Sequence, residues 1–135
     1  MDFDKTIQIS AAGLRAQGVR MRIIAENIAN ASTKPLAPDQ DPYRRKLISF
    51  KNELDHKLGV HMVAIADISK DKTEFTKRFE PGHPGADRDG YVKIPNVNGM
   101  IEMMDMREAQ RSYKANIKVI EAAKRMMMLT IDLLK

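Results

Sequence analysis

Between Phe3 and Asn30 apolar residues return at alternating steps of four and three: Ile7, Ala11, Leu14, Gly18, Met21, Ala25 and Ile28. No proline interrupts the stretch, so the spacing predicts one long helix whose seam alternates large residues with small ones. A second series, Ile9, Ala12, Ala16, Val19 and Ile23, repeats the spacing on roughly the opposite side. Arg15, Arg22 and Glu26 fill one flank between the stripes; Ser10, Gln17 and Arg20 fill the other.

The C-terminal third follows the same design from about Met103 to Leu134. Met106, Tyr113, Ile120, Met127 and Leu134 recur every seven residues, with Ala109, Asn116, Ala123 and Thr130 between them. Ala115, Val119, Ala122, Met126, Leu129 and Leu133 form a second stripe, and Arg107, Arg111, Lys114, Lys118 and Arg125 a polar strip. Each helix would run roughly 40 to 50 Å at about 1.5 Å per residue.

The segment between changes period. Ala31 to Pro42, with Pro35, Pro38 and Pro42, is a loop by composition. Arg45–Phe50, Gly59–Ile68, Thr73–Phe79 and Tyr91–Ile94 then read as short strands separated by charged or Gly/Pro turns. The expected fold is mainly α with a small β insert of two to four strands. Residues 1–31 and 100–135 form one antiparallel coiled-coil pair, and residues 32–99 form the loop and insert.

A helix apolar on two sides must be covered on both. The chain has only two long helices, so pairing their seams leaves one stripe on each without cover. Another copy, or a homologue with the same pattern, is the expected partner, and repeated coverage of this kind builds tubes or bundles. The alternative is that the second stripe packs on the β insert, which is short and would cover only part of either helix. Gly18 and Ala25 are the small seam positions expected to let helix axes approach.

Composition sharpens this reading. Aromatics are only 5% of the 135 residues and tryptophan is absent, so any core is built from aliphatics and methionine. The absence of cysteine removes thiolate chemistry, disulfides and cysteine-ligated zinc. No run of about 18 apolar residues occurs, so no membrane-inserted span is expected. Met1-Asp2-Phe3-Asp4-Lys5 does not read as the start of a Sec-type signal peptide. A net charge of +5 permits anionic partners without choosing among them.

Several segments resemble one family. Ala25-Glu26-Asn27-Ile28-Ala29-Asn30, followed by Ser32-Thr33, is similar to the signature closing the N-terminal helix in rod, hook and hook-associated proteins of the bacterial flagellum. Asp41 to Lys46, Pro81 to Pro84, Gly90 to Val97 and Glu108 to Asn116 resemble the proximal-rod FlgC class. Glu26 departs from the pattern, standing where the wider family often has Asn. The resemblance implies a structural subunit of the axial rod that crosses the periplasm. It also implies exit through the flagellar type III export apparatus without cleavage, and terminal helices that order on joining the tube. Expected partners are other copies and homologous rod proteins. Ile7, Leu14, Gly18, Met21, Ala25, Asn27, Ile28, Asn30, Tyr113, Asn116, Val119, Ile120, Met126, Met127 and Leu134 are the expected packing and interface residues.

Other chemistry fits less well. His56, His61 and His83 lack the spacing of a metal site. Asp87-Arg88-Asp89-Gly90 begins like a calcium loop, but Asn98 stands where the bidentate Glu is needed, so a turn is expected. Glu53 and Asp55 have no apolar pocket to raise either pKa and read as surface charge. No phosphate loop or nucleophile elbow is present, so no enzyme, cofactor or small-molecule substrate is expected. The alternative function is a basic helical nucleic-acid-binding module gripping through Arg107, Arg111, Lys114, Lys118 and Arg125. That strip is narrow and carries no interleaved aromatics.

Overall fold

The structure is a computed structural model that describes residues 2–133. Its elements run α1 (Phe3–Ala29), β1 (Lys46–Asp55), β2 (Val60–Lys70), β3 (Thr76–Phe79), β4 (Tyr91–Ile94) and α2 (Gly99–Asp132). The fold is therefore two long terminal helices around a small β region, as the periodicity predicts. The β region is two separate two-stranded sheets, β1-β2 and β3-β4.

Local chemistry sets the element ends. Asp2 caps α1, its Oδ1 accepting from the Lys5 amide at 3.2 Å. At the other end Asn30 Nδ2 donates to the Glu26 carbonyl at 2.8 Å, satisfying a terminal acceptor, and Asn30 Oδ1 accepts from the Thr33 hydroxyl at 3.2 Å. Asn98 caps α2, accepting from the Met100 amide at 3.0 Å, so the helix begins at Gly99, several residues before the heptad pattern is visible. Asp55 organises the β1-β2 turn by accepting from the amides of Lys57 and Leu58.

In the antiparallel β3-β4 pair, Phe79 stands opposite Tyr91, ring edge to ring face with centroids 5.3 Å apart. The stretch Asp87 to Gly90 is a turn, as its composition suggested. Asp87 Oδ1 accepts from the Asp89 and Tyr91 amides, and Gly90 takes φ +84°. A side chain there would also meet Phe79.

The chain gathers into two compact units. One holds the residues before Arg22, Ile48–Asp67 and the residues after Met106; the other holds Arg22–Leu47 and Ile68–Met106. In the first, α1 and α2 run antiparallel. Gly13 lies against Asn116, and Arg20 Nη2 reaches Glu108 Oε2 at 3.7 Å. Its buried residues are small: Ser10, Ala12, Ala16, Ala109 and Ala123. In the second unit the buried residues include Ile23, Ile24, Asn27, Val92 and Glu102, with Pro35, Pro42, Gly85 and Pro95.

The face of α1 turned to α2 differs from the expected seam. Gly13 and Arg20, the latter on the flank read as polar, meet α2 in the first unit, and Ser10 of the same flank is buried, whereas Ile7, Leu14, Gly18 and Met21 are half-buried. A Cβ on Gly18 would meet nothing within 4 Å, so the close approach belongs to Gly13. The reason is steric: Gly13 removes a side chain where the Asn116 amide must fit. Along the seam expected on α2, Ala109 and Ala123 are buried and Met106, Tyr113, Asn116 and Ile120 are half-buried.

Candidate functional site: the uncovered helix faces

In the second unit a polar knot ties α1 to three other segments. Asn27, 1% exposed, uses every hydrogen-bonding position of its amide. Its Nδ2 donates to the Lys46 carbonyl at 2.9 Å and to Glu102 Oε2 at 3.1 Å. Its Oδ1 accepts from the Lys46 amide and the Tyr43 hydroxyl, each at 2.9 Å. Glu102, equally buried, accepts from Arg45 Nε through its other oxygen.

Arg45 also lies 3.5 Å from Asp71 and 3.7 Å from Asp105, while its amide donates to Asn96 Oδ1 at 2.8 Å. Burial opposes the Arg45 charge, but the hydrogen bond and charge of Glu102 outweigh it and hold the guanidinium above its ordinary pKa. The Thr73 hydroxyl and amide, then Arg45, hold Asp71 below the usual carboxylate value. Burial raises Tyr43. Glu26 meets Lys46 Nζ at 2.6 Å, a hydrogen bond that lowers the acid and raises the amine. The residue that departs from the family signature therefore has its own partner.

Away from these contacts the helices present apolar surface. On α2, Val119, Met126, Met127, Met128, Leu129, Ile131 and Leu133 are all exposed, Leu133 at 87%. Nearer its start Met100, Ile101, Met103 and Met104 are exposed as well. Ala25 and Ile28 of α1 are exposed, continuing the half-exposed row of Ile7, Leu14, Gly18 and Met21. Apolar area of this extent on consecutive helical turns marks a surface that meets a partner.

The expected residues thus fall into distinct places. Asn27 and Asn30 serve the chain itself, one in the knot and one at the helix end. Tyr113, Asn116 and Ile120 lie on the half-buried face of α2, Val119 and Met126 lie on its exposed face, and Met127, which continues the Ile120 series, is exposed. Leu134 lies outside the described residues. Sequence reasoning missed Gly13, Arg45 and Glu102. The signal for Glu102 was a single acid inside the apolar run Met100-Ile101-Glu102-Met103-Met104.

The second stripe of α1 also differs from the first expectation. Ala12, Ala16 and Val19 share a groove of about 480 Å3 with Leu54 of β1 and with Val63 and Ile65 of β2, all in the first unit. The insert therefore partly covers that stripe, which was the alternative weighed. Arg15, Glu53 and Asp55 also line the groove.

Among the described residues, no group of His, Cys, Asp and Glu is arranged to hold a metal ion, and no helix is long and apolar enough to cross a membrane.

Residues 88–133 match the family described as flagellar basal body rod FlgEFG protein, C-terminal. A flagellar basal-body rod protein FlgC of Agrobacterium fabrum is 49% identical over 128 residues, covering 95% of this chain and 92% of that protein. The proteins of the same name from Borreliella burgdorferi and Bacillus subtilis are 38% and 31% identical. They cover 93% and 95% of this chain and the same shares of their own lengths.

Proposed function

Because the chain belongs to the FlgC family of flagellar basal-body rod proteins, we propose that it joins its neighbours in the rod through the uncovered faces of α1 and α2. Its function is structural, as a subunit of the flagellar basal-body rod, and it assembles with other rod components. The neighbours in this reading are other copies of the chain and homologous rod proteins. The chain performs no catalysis. It works where the rod crosses the periplasm, which it reaches through the flagellar type III export apparatus without cleavage. The two terminal helices act together as the axial part, with residues 32–99 as an insert between them.

The observation that carries this reading is the unbroken apolar exposure of α2 from Met126 to Leu129. Those four consecutive positions circle the helix, so one neighbour on one side would not cover them. The nucleic-acid alternative has no support among the relatives, and Lys118 of its basic strip is already 2.8 Å from Glu121.

The test is deletion of the gene followed by complementation with a tagged chain. Loss of swimming, with recovery of the tagged chain in purified basal bodies, is the expected result. Basal bodies that form with complete rods in the deletion strain would remove the assignment.

A further inference from the structure

In the first unit the two helices are unequal partners. Gly13 lies against Asn116 and Arg20 against Glu108, so each step toward the start of α1 is one step toward the end of α2. Continued along the pair, this register sets Phe3, the first residue of α1, level with Met126. Residues Met127 to Leu133 therefore extend past the end of α1 by about 10 Å. That overhang is exposed throughout its length, and five of its seven residues, Met127, Met128, Leu129, Ile131 and Leu133, are apolar.

The same unit contains a groove with the complementary chemistry. Its floor is Ala12 and Ala16, at 5% and 3% exposure, and the small side chains leave room above them. Leu54, Val63 and Ile65 form the strand side. Acidic Glu53 and Asp55 lie on the strand side and basic Arg15 on the helix side. The last turns of α2 bring the charge opposite to that of Glu53 and Asp55: Arg125 stands immediately before the apolar run Met126 to Leu129.

The geometry points to a plug-and-socket contact between copies. The end of α2 from Arg125 to Leu133 in one chain enters the Ala12–Ala16 groove of the next, with Arg125 against Glu53 and Asp55 and Leu129 over the alanine floor. The occupant is a second copy: a chain cannot fill its own groove, and another copy brings Arg125 opposite Glu53 and Asp55. The register sets Ala12 and Val19 beside the middle of α2, and the overhang runs away from them. Plug and socket lie on different surfaces, so the contact is heterologous and propagates into a filament instead of closing a dimer. This rests on the rod-subunit reading and names the surfaces used.

The chain contains no cysteine, so introduced thiols are unique. Two full-length chains, Leu129→Cys and Leu54→Cys, are co-expressed in the deletion strain, and purified basal bodies are treated with a short bis-maleimide. A heterodimer about tenfold more abundant than with the control pair Leu129→Cys and Leu36→Cys is expected, since docked thiols react at high effective concentration. Both chains present in basal bodies without that adduct overturn the contact alone. If even the unmodified chain is absent from basal bodies, the rod reading fails and the contact with it. Where only the cysteine chains are excluded, a charge swap decides. Arg125→Glu shrinks swimming rings and Glu53→Arg in the same chain restores them; failure to restore overturns the contact.

Discussion

Gly13 and Asn116 lie so close that a Cβ on the glycine would come within 2.8 Å of Asn116 Nδ2. The Asn116 amide has little freedom to withdraw, because Nδ2 also donates to the Ser112 carbonyl at 3.0 Å. Gly13→Ala should therefore lower stability by about 1 kcal/mol despite alanine's higher helix propensity. Gly18→Ala, with open space around it, should raise stability by about 0.5–1 kcal/mol. Urea unfolding of the two variants compares them, and Gly13→Ala matching Gly18→Ala would show that the helices are not in contact there.

Asn27 is the next test, because its amide closes four hydrogen bonds at once. Asn27→Ala leaves the Tyr43 hydroxyl, both backbone groups of Lys46 and one Glu102 oxygen without that partner, and should cost about 2–4 kcal/mol. Arg45→Met removes the charge facing a buried carboxylate and should cost about 3–5 kcal/mol. Both are read as shifts in denaturation midpoint. A loss below half a kilocalorie per mole in either, the size of an ordinary surface substitution, would show the knot to be open in solution.

Acid should weaken the second unit in a defined window. Asp71, Glu26 and Glu80 titrate below their ordinary values, held down first by Thr73, Lys46 and Lys34 respectively. A depressed carboxylate contributes stability that is full above its unfolded pKa, near 4, and is lost as pH falls through the lower folded value. Lys46 is raised, so its contribution is full below its unfolded pKa and is lost as pH rises through the folded one. Melting temperature should be level between these limits and fall steeply below about pH 4. Thr73→Val should flatten the acid slope by removing the hydroxyl from Asp71; an unchanged slope would remove Asp71 from the account.

Val119 distinguishes stability from assembly. It is 41% exposed, so Val119→Lys should change the stability of the free chain by no more than about 0.5 kcal/mol. In the rod the same lysine would sit against an apolar neighbour without a counter-charge, so rods should fail to form while the protein is still made. Lys118→Gln, on the polar strip, should leave motility nearly intact. Normal rods carrying Val119→Lys would show that this face meets no neighbour.

Much of the architecture was legible because helix periodicity records which positions avoid water. The stripe from Met106 to Ala123 could be read directly, whereas the second stripe, through Val119, is exposed. On α1 the same method chose the wrong inner face. Periodicity counts apolar side chains, and the face against α2 is made by a missing side chain at Gly13 and by the polar Arg20. Asn27 and Asn30 could be recognised as a signature, but their tasks could not. A hydrogen bond to Glu102 spans 75 positions and leaves no local trace. Asn98, one residue before the helix it caps, shows why the start of α2 was set late: the cap precedes the heptads it serves.

That separation also sets an order of events. Whatever delivers the chain N-terminus first presents Asn27 long before Glu102. At about 5–20 residues per second of synthesis the wait is roughly 4–15 seconds. Throughout it Lys46 and Tyr43 can already engage the asparagine, but the guanidinium of Arg45 lacks the acid that will bury with it. The joint is therefore a late one, locked only after the first residues of the second helix have arrived. Until then the leading end of the chain remains an unfastened strand, free to be threaded.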